Sequence, residues 1–203
     1  MLSAAISVTS PNDKWFHSDE KFHLLYTASI QSLARRHWTP LNVARKAARF
    51  LAAENNVRIL DIGSGVGKFC LAAAHFMPRA FYTGVEQRKE LVGYAESARN
   101  NLGLKNVAFI HANFTQLDFK NYDHFYFYNS FYENFGITDK IDDSIDYSGK
   151  LYHSYARYML KQLEQKPAGT RLATFHSLED EVPEGYLVVG SEMDNELKFW
   201  IKV

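Results

Sequence analysis

Apolar positions fall into two rhythms along this chain. Short, nearly unbroken apolar runs occur at 57–62, 80–85, 107–111, 124–128 and 171–175. Runs of that length, framed by turn residues, read as strands buried on both faces. Stretches with helical spacing separate them at 66–76, 87–102 and 145–164, the last placing Leu151, Tyr155, Tyr158, Met159 and Leu163 on one face. Pro78 ends the first of these helices and Gly103 closes the second. Two further strands, 186–189 and 197–203, are joined only by the turn-like Met193-Asp194-Asn195-Glu196. With no helix between them they are expected to pair as a hairpin, one strand running against the rest of the sheet. The upstream alternation predicts βαβ units, right-handed crossovers and a mainly parallel sheet.

Before residue 57 the pattern is helical. Residues 1–20, with Ser10-Pro11-Asn12-Asp13, are polar and turn-rich and read as a loose arm. Phe22, Leu25, Tyr26, Ile30 and Leu33 predict one helix over 20–36. Thr39 then stands as an N-cap with Pro40 at the first position of the next helix, which carries Leu41, Val43, Ala44, Ala47, Ala48, Phe50 and Leu51. The expected organisation is an N-terminal helical arm and cap over 1–50 and one domain over 51–203, a length that supports a large core.

Charge changes the picture little. Lys+Arg and Asp+Glu are both 23, so the net charge is zero, which disfavours a broad nucleic-acid surface. Arg35, Arg36, His37, Arg45, Lys46 and Arg49 gather positive charge locally and read as a solvated helix face. A lone cysteine, Cys70, excludes an internal disulfide and reads as a packed helix residue. No apolar run approaches membrane-spanning length, and the first residues lack the basic and apolar regions of a signal peptide. The expectation is a cytoplasmic, soluble protein. No histidine spacing suggests a metal site, so no metal is expected.

The chemistry-bearing motif follows the first strand. Asp61-Ile62-Gly63-Ser64-Gly65-Val66-Gly67-Lys68 is a glycine turn leading into a helix. Glycine there permits unusual backbone angles and close approach of a ligand, and a side chain at Gly63 or Gly65 is expected to block it. Glu86 closes the second apolar run, with Gln87 beside it, and its two acceptor oxygens suit paired ribose hydroxyls. The spacing is G-x-G-x-G with Lys68 where a dinucleotide fingerprint has its third glycine. In a parallel sheet the ligand lies beyond the carboxyl ends of the strands. That edge also receives His111, Asn113 and Phe114 after the third strand and Asn129 after the fourth.

The D-x-G-x-G-x-G run with a later acid resembles the class I S-adenosylmethionine-dependent methyltransferases. The resemblance implies a three-layer α/β sandwich around a seven-stranded Rossmann-like sheet with an antiparallel strand in the C-terminal hairpin. It implies S-adenosylmethionine as cofactor, bound by Asp61, Gly63, Ser64, Gly65, Gly67, Glu86, Gln87, Asn113, Phe114 and Asn129. In this reading Glu86 holds the ribose, Asn113 accepts from the adenine amino group and Phe114 packs on the adenine. Thr39 reads equally as a contact to the methionine end and as a helix cap. Gly84-Val85-Glu86, Asn113-Phe114 and Asn129-Ser130-Phe131 are similar to the non-SET histone lysine methyltransferases over about 57–135, without that family's long basic arms.

The acceptor is not named by the residues. Amino-methylating nucleic-acid enzymes carry N/D-P-P-Y/F after the fourth strand, where this chain has Asn129-Ser130-Phe131-Tyr132 without the prolines. Asn129, Phe131 and Tyr132 are therefore candidates for an acceptor site walled also by Tyr128, and Glu133 reads as a base or a surface residue. A protein side chain or small molecule is expected as acceptor, with nucleic acid disfavoured and the oligomeric state open. Two alternatives stand beside this reading: a nicotinamide-dependent reductase, and a non-catalytic domain that keeps the nucleoside pocket.

Overall fold

The structure is a computed structural model, and it describes residues 12–135, 140–177 and 181–203. Seven strands form one sheet: β1 (Arg58–Ile62), β2 (Phe81–Glu86), β3 (Val107–His111), β4 (His124–Tyr128), β5 (Arg171–Phe175), β6 (Tyr186–Glu192) and β7 (Leu197–Lys202). Their order is β3-β2-β1-β4-β5-β7-β6. β1 to β5 pair in parallel, and β7 runs antiparallel to both β5 and β6. The expected hairpin is present, and the reversed strand is β7, inserted between β5 and β6. The chain order reverses at β1, whose neighbours β2 and β4 open the crevice where such sheets bind ligands.

Alternation along the strands sends side chains to opposite faces. Ile59, Tyr82, Tyr126 and Ala173 face one core, with α4 (Leu41–Leu51), α5 (Lys68–Phe76) and α6 (Lys89–Leu102). Leu60, Ile62, Val85, Phe125, Phe127 and Leu172 face the other, with Tyr152, Tyr155, Met159 and Leu163 of α7 (Gly149–Glu164). Helix, sheet and helix make three layers.

The N-terminal part departs from expectation. Residues 20–36 form three short helices rather than one: α1 (Asp19–His23), α2 (Ala28–Gln31) and α3 (Ala34–His37). Tyr26 breaks the run: its buried hydroxyl donates to the Val66 carbonyl, and its own carbonyl accepts from Gln31 Nε2. Thr39 is not the cap of α4. Pro40 holds that position, and the α4 amide at Leu41 donates to Asp19 Oδ1 at 3.0 Å. The expected loose arm lies mostly outside the described residues. Phe16, Phe22, Tyr26, Ile30 and Trp38 are buried in the same core as α4 and α5, so this segment covers the sheet edge near the glycine turn.

Candidate active site

At the carboxyl edge of the sheet lies a cleft of about 800 Å³, near the upper end of the range of ~300–1,000 Å³ usual for small-ligand sites. Of the residues expected at the cofactor, Gly63, Gly65, Glu86, Gln87, Phe114 and Asn129 line it. Val66, Arg88, Ala112, Phe131, Tyr132 and Tyr155 join them. Thr39, Asp61, Ser64, Gly67 and Asn113 stand behind that surface, each held by the fold or packed into it. Thr39 Oγ1 lies 3.0 Å from the buried Tyr126 hydroxyl. Asn113 caps the next 3-10 turn, its Oδ1 accepting from Thr115 and its Nδ2 donating to Gln87 and Tyr155. Gly67 packs against Phe109, and Ser64 Oγ is buried without a hydrogen-bond partner among the described residues.

The glycines do different things. Gly63 has φ +75°, and a Cβ there would meet Ser130 Oγ at 2.4 Å, because Ser130 Oγ bridges back to the Ile62 carbonyl at 2.7 Å. The protein alone therefore already requires glycine at that position. At Gly65, where φ is +53°, a Cβ would meet no atom within 4 Å, so the missing side chain is what keeps the cleft floor open.

Glu86 is buried, and both its oxygens are engaged. Oε2 accepts from the Gly65 amide at 3.1 Å, and Oε1 accepts from the Arg88 amide at 2.9 Å and its guanidinium at 3.3 Å. Arg88 also reaches Glu133 at 2.6 Å, Asp142 at 3.3 Å and the Tyr147 hydroxyl at 2.8 Å. Burial pulls the Arg88 pKa down, but the charges of Glu133 and Glu86 outweigh it and hold the guanidinium more firmly protonated. Sequence reading misses this hub, whose members come from 86–88, 133 and 142–147; only the closeness of Arg88 to Glu86 hints at it. Glu133 is thus a partner of Arg88 and Tyr147 rather than a free base.

Behind the turn, burial raises the Asp61 carboxyl to about 8, with Cys70 as its hydrogen-bond partner opposing and Glu86 adding to the rise. The Cys70 thiol is pushed well up by burial and by Asp61, consistent with a packed residue. Phe131 is buried and stacks on Phe114 with ring centroids 5.0 Å apart, so it is as much core as wall.

The other end of the cleft is built from four distant segments: Leu33, Arg36, His37 and Trp38; Tyr128 to Tyr132; His176; and Glu196. Tyr128 donates its hydroxyl to the Arg36 carbonyl at 3.0 Å, tying α3 to the end of β4. Burial, then the charges of Arg88 and Arg36, lowers the His37 pKa and favours its neutral form. The basic cluster expected to be a solvated face is therefore divided. Arg36 and His37 enter the cleft, while Lys46 pairs with Glu192 and Arg45 lies over the Phe76 ring at 4.5 Å.

Residues 53–167 match the family described as a methyltransferase domain, more than half of the chain, and the protein belongs to that family. Its fold is that of the class I S-adenosylmethionine-dependent methyltransferases. The family match favours the sulfonium cofactor over the nicotinamide alternative. A tRNA (guanine-N(7)-)-methyltransferase of Synechococcus sp. (strain JA-3-3Ab) is 50% identical over 54 residues, 27% of this chain and 23% of that protein. A release factor glutamine methyltransferase of Buchnera aphidicola is 31% identical over 104 residues, 51% of this chain and 37% of that protein. The chain thus spans well under half the length of these curated relatives. Among solved structures, TrmN from Thermus thermophilus superposes with TM-score 0.60 at 20% identity, covering 86% of this chain and 52% of that one. An RNA methyltransferase from Salinibacter ruber, crystallised with S-adenosyl-L-homocysteine, gives 0.56 at 17%, covering 82% and 93%. The cleft fits the cofactor: Gly65 leaves its floor open and Glu86 offers a buried carboxylate beside it. Among the described residues no helix is long and apolar enough to cross a membrane.

Proposed function

We propose that the chain methylates a group on a nucleic acid, with RNA as the substrate class. The carrying observation is the far end of the cleft, where Arg36 and His37 stand with Tyr128 and Tyr132. A cation serves a phosphate, and aromatic faces serve a base. Zero net charge disfavours a broad basic surface, but a site of this kind needs only a local one. The names of several relatives, tRNA and 23S rRNA methyltransferases, support the same class.

In this reading Glu86 turns one oxygen from Arg88 to the ribose hydroxyls, and Gly65 and Gly63 supply backbone beneath the ligand. Phe114 packs against the adenine, with Gln87 at its edge and Asn113 holding Gln87. Asp61, Ser64, Gly67 and Thr39 support the turn from behind. Asn129, Phe131 and Tyr132 lie toward the acceptor, and the 1–50 segment serves as a cap. The cofactor, when bound, supplies an activated methyl group on a sulfonium. The protein's own work is to orient the acceptor and exclude water. The likeness to non-SET histone lysine methyltransferases rests on 57–135, so it bears mainly on the cofactor half and leaves the choice of acceptor to the residues beyond it. Incubating the purified protein with methyl-labelled cofactor and separate RNA, DNA, protein and small-molecule fractions tests the reading. Label is expected in RNA; label confined to protein or small molecules would replace it.

A further inference from the structure

Two adjacent strands end on non-glycine residues in left-handed backbone. Asn129, after β4, has φ +40°, and His176, after β5, has φ +50°. Tyr128 and Phe175 are register partners, so Asn129 and His176 stand side by side at the sheet edge, and both line the cleft. Each such residue costs about 1–3 kcal/mol and persists only where its surroundings enforce it. At His176 the enforcement is visible. Its amide donates to the Glu196 carbonyl at 3.0 Å, its ring packs on Phe175 with centroids 4.1 Å apart, and its Nδ1 lies 2.7 Å from Glu196 Oε2. Glu196 arrives from the β6–β7 turn, where Met193, Asp194 and Asn195 are also left-handed. An Nδ1–H donated to the carboxylate leaves the lone pair of a neutral ring on Nε2. Nε2 has no protein partner among the described residues. Tyr128, Tyr132, Arg36 and His37 are the other titratable groups at this end of the cleft among the described residues. An exposed ion pair alone would contribute only about 0–1 kcal/mol and would not call for a strained backbone at the ligand edge.

We propose that His176 takes the proton of the methyl acceptor, with Glu196 as the residue that positions its ring. This rests on the methyltransferase reading of the cleft. The acceptor's lone pair forms the new bond to the methyl carbon as the carbon–sulfur bond breaks, its electron pair staying on sulfur. The acceptor's proton passes to Nε2, and the resulting imidazolium faces the Glu196 carboxylate. The proton then leaves to solvent, to which the His176 side chain is 44% exposed. The acceptor atom must therefore carry a proton to lose: an amino or amide nitrogen, or a hydroxyl. A ring nitrogen with a bare lone pair, such as the guanine N7 in the names of some relatives, gives this base nothing to do.

The test compares wild type, His176→Gln and Glu196→Gln. S-adenosylhomocysteine affinity by calorimetry is expected to stay within about twofold in both variants. The single-turnover rate with labelled S-adenosylmethionine and unfractionated RNA is expected to fall roughly 100-fold or more for His176→Gln and less for Glu196→Gln. The wild-type rate falls on acidification, and the His176→Gln rate does not. A wild-type rate and pH profile in His176→Gln, or a methyl group found on a nitrogen that had no proton, overturns the proposal. If label enters another fraction, the RNA reading fails and the same variants measured on that fraction decide the base. Nitrogen-15 NMR of the ring needs no acceptor: Nδ1 protonated and Nε2 bare is expected, and the reverse tautomer in the folded protein overturns the assignment.

Discussion

The two halves of the cleft are built in different ways. The cofactor half comes from two compact stretches, 61–67 and 86–88, and its groups are buried and mutually hydrogen-bonded: Glu86 holds both the Gly65 amide and Arg88. The acceptor half gathers Arg36, Tyr128, His176 and Glu196 from segments up to 160 residues apart, and its side chains are more exposed. The first is a preformed cradle whose backbone does the binding. The second is an assembly of side chains that any of four segments can alter. Affinity for the cofactor is therefore expected to depend on the first half alone, and choice of acceptor on the second.

Substitutions can break that separation or sharpen it. Glu86→Ala is expected to have the largest effect, lowering S-adenosylhomocysteine affinity about 100-fold by calorimetry, since hydrogen bonds to a charged group contribute about 1.5–3 kcal/mol each. Gly63→Ala and Gly65→Ala divide next. The first collides with Ser130 and is expected to cost about 2–3 kcal/mol of stability, read as a thermal midpoint lower by several degrees. The second meets no protein atom, so it is expected to lose less stability and more cofactor affinity. Arg36→Ala is expected to raise the KM for RNA about tenfold and reduce its salt dependence by about one unit of slope, with cofactor affinity unchanged.

A further test concerns pH. Asp61 is raised from 3.8 to about 8 in the folded protein. Between those values the folded state keeps a proton that the unfolded chain has lost, so stability falls as pH rises through that window. Asp61→Asn removes this dependence, and urea denaturation from pH 5 to 8 is expected to show a flatter profile than wild type. An unchanged profile would mean that Asp61 does not hold the proton.

The division also explains what is legible in the sequence. Strand β4, the glycine turn, Glu86 and the C-terminal hairpin follow from local pattern, because apolar runs and turn residues act over a few positions. The three helices of 19–37 share the apolar spacing of a single helix, because the break comes from Tyr26 bonding to Val66, 40 residues away. Thr39 has the local signature of a cap because nothing near it in the chain shows Asp19 doing that work or Tyr126 claiming its hydroxyl. The Arg88 hub and the His176–Glu196 pair are invisible for the same reason: each is created by topology. β7 lying against β5 is what delivers Glu196 to His176.

The central claim is that Glu86 and the open floor at Gly65 hold S-adenosylmethionine in this cleft. Calorimetric titration of the folded protein with S-adenosylhomocysteine, wild type beside Glu86→Ala and Arg36→Ala, tests it most directly. One-to-one binding that is lost in Glu86→Ala and kept in Arg36→Ala is the expected result. No binding at millimolar ligand, or equal binding by all three proteins, would contradict it.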